Sequence, residues 1–574
     1  MDTKKLLDYD FHLFSVFALF WVFLGWLGLI LAISGFFYFW IFIFYLALGI
    51  YFAISKNIFR KISKEFGFLT LKLLILLVVF SLFVTPTVFS GRDQGSFSEA
   101  AIRLSQNKQL EFSTPASDEF FRIYGPGKAL NFPGFHYTQS GNLVTQFPIP
   151  YIAWLSIFYS IFGIAGLTIA NVILFYLFLM SFYLIGRIYL KNKLSKLLLV
   201  LTISSFSFSW LLKFTLSENM ALALLWIGIL QLLIFMQNQK GLFFISAFFS
   251  FGLLIFTRIE GFAIFTMFII AILLSRECRA FLFRRKLARI YLPVAFLTAT
   301  AISTLFVNLP FFKEIGKALI KNASDMSVSL SLSDAAVIFA NYGILQYVLL
   351  GIIAIIYLLS KKKYSMLLPF CIVLPVFIYL LDPNISSDHP WMLRRYVFAI
   401  LPALILYSVI LLAMLLNNKK KWLSLALVLV VFFINLPAFL LYFEFSENEN
   451  LLVQIESISH NFTERDLVLI DRLASGNGWS MMTGPMSFLY NVNSVYFFNP
   501  SDLEKINKEK FDRIYLIVSD DNINFFKNSQ FEKHLLDRKD YAITTTRLTS
   551  TESSLKLPKK ETVKINGKIF EIVK

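Results

Sequence analysis

Uninterrupted apolar runs of roughly 20 residues recur along most of this chain, and that length matches what a helix needs to cross the hydrocarbon core of a bilayer. The runs cover about residues 11 to 33, 36 to 54, 68 to 89, 166 to 189, 195 to 213, 217 to 236, 242 to 257, 259 to 275, 290 to 309, 336 to 359, 364 to 381, 396 to 416 and 422 to 443. Hydrophobic residues make up 57% of the 574 and charged ones 16%, against about 45–50% and 25% in soluble globular chains. A soluble enzyme is excluded, because too few polar side chains remain to cover its surface. Gly at 25 and Pro at 17 exclude a collagen-like or low-complexity chain. The expected fold class is mostly α, a polytopic helical membrane protein. Two cysteines, Cys278 and Cys371, give neither a disulfide framework nor a zinc site. The 66 phenylalanines are spread over every apolar run and read as lipid-facing bulk.

Basic loops set the orientation, since Lys and Arg in short connections stay cytoplasmic. They form five groups: Lys56, Arg60, Lys61 and Lys64; Arg187, Lys191, Lys193 and Lys196; Arg276, Arg279, Arg284, Arg285, Lys286 and Arg289; Lys361 to Lys363; and Lys419 to Lys421. All five share one side only if the stretch Ile149 to Gly163 does not cross. Its length of about 22 Å falls short of the core, as an interfacial or re-entrant helix would. The count becomes about 13 crossings, with the N-terminus cytoplasmic and the first span retained rather than cleaved as a signal peptide. Residues 91–148, 310–335, 382–395 and everything after about 445 then lie outside. Most of the net charge of +17 serves orientation, and no nucleic-acid partner is implied.

The expected divisions are residues 1–67, two N-terminal helices; 68–443, a transmembrane module with the outer loop 91–148; and 444–574, a soluble extracytoplasmic α/β domain. In the last, short β-rich runs (Asp466 to Asp471, Ser494 to Phe498, Arg513 to Ser519, Ala542 to Thr546, Thr562 to Ile565 and Ile569 to Val573) alternate with helical stretches such as Leu451 to Ser459 and Asn524 to Leu536.

Ionisable groups at or beside membrane depth are costly to desolvate, which makes them functional candidates. Four clusters fall on the outer side. The first is Ser90-Gly91-Arg92-Asp93-Gln94-Gly95, followed by Glu99 on a short helix running to Arg103. There Asp93 either takes a proton from a hydroxyl or caps a helix starting near Ser96. The second is Ser217-Glu218-Asn219, a turn with either cap residues or a cavity carboxylate. The third is Thr257-Arg258-Ile259-Glu260-Gly261, where Arg258 pairs with Glu260 internally or lines a polar cavity. The fourth runs from Asp388-His389-Pro390 to Arg394-Arg395-Tyr396. Its two arginines suit a phosphate through their planar forks, or else snorkel to headgroups. His389 has no partner at metal-ligand spacing. Serine-elbow, zinc-protease and Walker motifs are absent from the sequence.

These residues, in this order, resemble the GT-C-type glycosyltransferases, in particular the branch of protein O-mannosyltransferases and lipid A aminoarabinose transferases. The likeness covers about residues 68 to 443. It rests on Gly91-Arg92-Asp93-Gln94-Gly95, on Gln146-Phe147-Pro148-Ile149-Pro150 leading into a short helix that ends at Phe162-Gly163, on Ser217-Glu218, on Thr257 to Gly261, and on Arg395-Tyr396 with Pro402.

The resemblance implies transfer of a sugar from a polyprenyl-phosphate-linked donor to an acceptor hydroxyl on the outer face, with inversion. The acceptor would be a protein, a lipid or a glycan. Asp93 is the implied general base and Glu218 a second catalytic carboxylate. Arg258, Arg394, Arg395 and His389 would hold the donor phosphate, while Arg92, Gln94, Glu99, Glu260 and Tyr396 would line the cavity. It makes no cofactor certain and leaves a divalent metal open, which beside the lone Asp93 would need Glu218 or phosphate oxygens as further ligands. The chain departs from the family pattern in its two extra leading helices and in carrying a lone Asp93 where the family has an acid pair. A lipid-linked saccharide flippase is the rival from another class, yet it should show internal repeats or polar groups open to both faces. A glycan ligase or polymerase would carry its long outer loop late, whereas here it comes early.

Overall fold

The computed structural model describes residues 3–57, 62–88, 92–284, 295–297, 299–300, 302, 332–381, 390–417, 421–476, 482–527, 534–549 and 555–573. The first helices are α1 (Thr3–Ser34), α2 (Phe39–Ser55) and α3 (Lys64–Ser81). The side chain of Ser63 caps α3 by accepting from Phe66 N at 3.2 Å and donates to Asp10 Oδ2 at 2.7 Å, which ties α3 to α1. Large apolar side chains such as Trp40 and Tyr51 project largely exposed from α2, as suits a helix facing lipid.

The segment after α3 holds α4 (Asp93–Asn107), α5 (Pro115–Tyr124) and a small antiparallel sheet of β1 (Gly127–Lys128), β2 (Phe135–Tyr137) and β3 (Leu143–Thr145). Helix α5 begins with Pro115 at its first position and a reciprocal cap between Thr114 and Ser117. Two prolines open α6 (Ile149–Phe162), whose first ten residues are all buried, so this short helix is packed inside protein rather than laid on the interface. Gly163, at φ +61°, turns the chain into α7 (Ile164–Tyr189). The approach is so close that a Cβ on Gly166 would lie 2.1 Å from the Phe158 carbonyl oxygen.

Helices α8 (Asn192–Ile203) and α9 (Phe206–Leu211) replace the single span expected over 195 to 213, the break falling at Ser204 and Ser205. Next come α10 (Ser217–Asn238), α11 (Gly241–Thr257) and α12 (Glu260–Leu274). Four helices are long and apolar enough to cross a membrane, or six if two bent pairs each count as one span. The expected figure of about 13 is therefore not reproduced among the described residues. Part of the shortfall is real breakage: Leu332–Asn341 and Leu345–Ser360 meet at 100°, and residues 364–381 form short helical pieces around Pro369 and Pro375. The span expected over 290 to 309 falls mostly outside the described residues, and the one over 68 to 89 ends at Ser81.

Helix α10 is the axis of the bundle, with 94% of its apolar window buried, against 22% for Lys421–Glu444 at the periphery. Phenylalanine is not mainly lipid-facing. Phe37, Phe42, Phe182, Phe206 and Phe251 are fully buried, and edge-to-face contacts such as Phe80 with Phe208 at 4.9 Å knit helices together. Cys278 is buried, Cys371 is exposed, and no disulfide joins them.

Beyond the last long helix, strands β4 (Leu467–Ile470), β5 (Asn493–Tyr496), β6 (Ile514–Ser519), β7 (Leu535–Leu548) and β8 (Lys560–Ile572) form one mixed sheet in the order β5-β4-β6-β8-β7. Leu451–Ser459 is helical as expected. The helix expected over Asn524 to Leu536 is not: Ile523–Lys527 forms a short helix, and Leu535 already belongs to β7, pairing with Ile572. The runs at Thr562 and Ile569 are one strand, because β8 passes through Asn566 and Gly567 without turning.

This sheet unit grips the segment that holds α4 and α5. Arg103 Nη2 donates to Ser487 Oγ at 2.7 Å and Gln106 Nε2 to Phe488 O at 2.8 Å, while Tyr496 N donates to Asn131 O at 3.2 Å. At the heart of the joint, fully buried Glu119 accepts from Arg122 Nε at 3.0 Å and from Asn507 N at 2.8 Å, and Lys510 Nζ lies 3.0 Å away.

Candidate active site

Three turns at one end of the bundle bring the charged residues together. The first is the start of α4. Arg92 occupies its cap position with no side-chain capping bond, and Asp93 is the first helical residue, so the helix begins three residues before the expected Ser96. Asp93 reaches across to Arg394, whose Nη1 donates to Asp93 Oδ2 at 2.5 Å.

The second is the turn before α10, which places Glu218 in the first helical turn, only 2% exposed. Asn171 Nδ2 and Asn219 Nδ2 both donate to Phe214 O, at 2.9 and 2.8 Å, and hold this turn in shape. The third is the break between α11 and α12. Arg258 there is extended, and a Cβ on Gly261 would lie 2.3 Å from the Leu254 carbonyl oxygen. The tightness of the break puts Arg258 and Glu260 side by side.

The result is a continuous chain of alternating charge. Arg394 Nε lies 3.5 Å from Glu218 Oε1, and Arg258 Nη1 lies 2.7 Å from the same oxygen. Arg258 then holds Glu260 with two bonds, Nε to Oε2 at 3.1 Å and Nη2 to Oε1 at 2.8 Å. Tyr379 OH donates to Glu260 Oε1 at 3.0 Å, and Tyr396 OH donates to Tyr379 O at 2.7 Å. Desolvating two guanidinium groups here is tolerable only because each faces two carboxylates.

Arg395 differs. Its guanidinium lies 5.6 Å from the centre of the Tyr379 ring and has no carboxylate partner among the described residues. Arg92 lies 5.0 Å from the Trp391 ring, which packs on Trp210 and Phe214.

Of the expected site residues, Asp93, Glu218, Arg258, Glu260 and Arg394 form this chain, and Arg395 and Tyr396 sit at its end. Gln94 is fully buried next to Asp93. Glu99 lies elsewhere: it faces Arg103 at 3.9 Å, against the sheet unit near Gly484, and burial pushes its carboxyl up to about 7. His389 falls outside the described residues. The expected alternatives resolve in part, since Asp93 makes no cap and Arg258 does pair with Glu260 while also reaching Glu218. Tyr379 is a residue that sequence reasoning missed. Its signal was a lone hydroxyl in an apolar run, which needs a partner when buried.

Neither a family model nor a curated protein matches the chain. Among solved structures, ArnT of Cupriavidus metallidurans in its apo state aligns at a TM-score of 0.51 and 10% identity, over 89% of this chain and 98% of that one. The chain has the GT-C fold. The same ArnT bound to undecaprenyl phosphate aligns at a TM-score of 0.49, also with 10% identity and the same coverage. The oligosaccharyltransferase of Archaeoglobus fulgidus, tethered with an acceptor peptide, aligns at 0.47 and 11% identity over 79% of this chain and 69% of that one.

Within this GT-C fold, no group of three or more His, Cys, Asp or Glu among the described residues could hold a metal ion. Asp93 and Glu218 flank the Arg394 guanidinium, so a cationic side chain occupies the place between them in this structure. The residues present do not fit a divalent ion held by those two acids.

Proposed function

We propose that this chain is an integral membrane glycosyltransferase that moves a sugar from a polyprenyl-phosphate-linked donor to an acceptor hydroxyl on the outer face of the membrane. The observation that carries the reading is the chain Asp93, Arg394, Glu218, Arg258, Glu260, set at one end of the helices of a GT-C fold. It concentrates guanidinium groups where a lipid phosphate can enter from the bilayer, and it presents one half-open acid toward solvent.

The opposite end supports the orientation. There Lys196 pairs with Glu65 at 2.8 Å, Arg187 donates to Tyr183 OH at 3.0 Å, and Tyr189 OH donates to Ser365 O at 3.4 Å, so three of the basic connections gather together. Glu218 begins α10 and Lys240 follows its end, and a 22-residue helix separates the two by about 33 Å.

In the proposed reaction Arg395 receives the donor phosphate first, since no carboxylate among the described residues neutralises its charge. Arg394 then turns from Asp93 toward the phosphate, and the trade of one anion for another keeps the buried cation paired throughout. Asp93, released, accepts the proton of the acceptor hydroxyl as its oxygen attacks the anomeric carbon. The bond from that carbon to the phosphate oxygen breaks, the electron pair leaves with the lipid phosphate, and the arginines stabilise the charge that develops there. A single displacement inverts the anomeric centre. Glu218 and Glu260 keep Arg258 in place between the two partners.

The test is Asp93→Asn in membranes, with mass spectrometry of acceptor glycans and of the polyprenyl-phosphate-sugar pool. Transfer should stop and the donor accumulate. Wild-type transfer by that variant would remove Asp93 as the base, and a donor pool trapped on the cytoplasmic face would favour a flippase.

A further inference from the structure

Gln94 is one position beyond Asp93 in α4 and fully buried. Both its Nε2 and its Oε1 lack a hydrogen-bond partner among the described residues. Buried amides are normally satisfied, so one that is not calls for a ligand or a cost.

The surroundings prevent the side chain from escaping to solvent. The Gln94 carbonyl oxygen accepts from Ser98 Oγ at 2.8 Å and from Thr215 Oγ1 at 2.7 Å, which pins the first turn of α4 to the turn before α10. One turn along, Phe97 packs on Phe147 and Tyr151, with ring centres 4.7 and 5.4 Å away. On the facing elements Tyr151 OH donates to Asn171 Oδ1 at 2.7 Å and the Asn171 and Asn219 Nδ2 groups both donate to Phe214 O, while Asn219 Oδ1, like the Gln94 amide, is buried with no hydrogen-bond partner among the described residues. Gln94, the residue after the proposed base, thus keeps a buried free donor and a buried free acceptor.

We infer that Gln94 reads the hydroxyls of the donor sugar, giving an N–H to one ring oxygen substituent and accepting from a neighbouring hydroxyl. This rests on the sugar-transfer reading of the same site. The chemistry selects a sugar over a phosphate, because an ionised phosphate offers only acceptors and would leave the amide oxygen facing negative charge. Burial selects the donor over the acceptor substrate. Asp93, at 38% exposure, meets what arrives from outside, whereas Gln94 meets only what is already seated.

The experiment uses the full chain in lipid nanodiscs with two kinds of probe, farnesyl phosphate and farnesyl phosphate carrying glucose, mannose, galactose or arabinose. Dissociation constants and the ligand-free melting temperature are compared for wild type, Gln94→Leu and Gln94→Met. Wild type should prefer at least one sugar-bearing probe over the bare phosphate by about tenfold for each hydrogen bond made. Both variants should lose that preference, keep the affinity for farnesyl phosphate, and melt at the wild-type temperature or above it, since an unsatisfied buried amide has been removed. A retained preference overturns the inference, and so does a lowered melting temperature, which would reveal a structural partner such as an ordered water. Binding of farnesyl phosphate by wild type with no preference for any sugar overturns it alone. Failure of wild type to bind either kind of probe overturns the transfer reading as well.

Discussion

Two charged clusters in this molecule both bury carboxylates and differ in what they do with the cations. At the joint between the α4 and α5 segment and the sheet unit, the acid is inside and the cations are outside: Glu119 is fully buried, while Arg122 and Lys510 keep about half their surface in solvent, at 53% and 47%. At the bundle end both signs are buried, with Glu218 at 2%, Glu260 at 9%, Arg258 at 15% and Arg394 at 27%, and the acid at the edge, Asp93, is the open member at 38%. A buried acid with several donors is a finished clamp that gains nothing from a further anion. Buried guanidinium groups beside one accessible carboxylate form a site that can exchange that carboxylate for a phosphate. The difference separates a structural latch from a candidate reaction centre.

The contrast can be broken by substitution. Glu218→Ala removes the shared anion between two buried arginines and should cost about 3–5 kcal/mol of stability in chemical unfolding. A change well under that would mean the arginines are better solvated than the contacts imply. Arg395→Ala should weaken the donor by about tenfold or more, as loss of a charged hydrogen bond does, with folding unchanged; affinity equal to wild type would leave Arg395 as a headgroup contact. Glu119→Gln should cost about 1–3 kcal/mol and leave transfer per folded molecule as it was, and loss of transfer would show that the latch belongs to the site.

The smallest effect concerns pH. Burial raises the Glu99 carboxyl from 4.5 to about 7, so the folded chain holds a proton that the unfolded chain has released. Stability should fall as pH rises through that window, and Glu99→Gln should flatten the slope, by at most about 3 kcal/mol. An unchanged slope would place Glu99 in contact with water.

The break at Thr257 to Gly261 was legible because Arg and Glu cannot face lipid, and Glu218 because a carboxylate between two apolar runs needs a partner. The short helix at Ile149 was legible by length alone. Which cation meets which acid was not. Arg394 finds Asp93 across 301 positions, a pairing set by how α4 docks, and no local pattern encodes it. The Glu119 latch was hidden for the same reason, since its Lys510 and Asn507 partners lie in a region whose sequence reads as an ordinary α/β unit. The positions of helix breaks were not legible either: Ser204 and Ser205, Gly343, Pro369 and Pro375 divide hydropathic runs into bent pieces, because hydropathy measures the solvent and not the continuity of the helix.

The exchange of Asp93 for phosphate on Arg394 is tested most directly by donor binding and transfer in the Asp93→Asn variant, measured on one preparation with a sugar-bearing polyprenyl phosphate. Donor affinity should equal or exceed that of wild type, because the competing carboxylate charge is gone, while transfer falls by about 10²- to 10⁴-fold. Transfer at the wild-type rate, or loss of donor binding together with transfer, would contradict it.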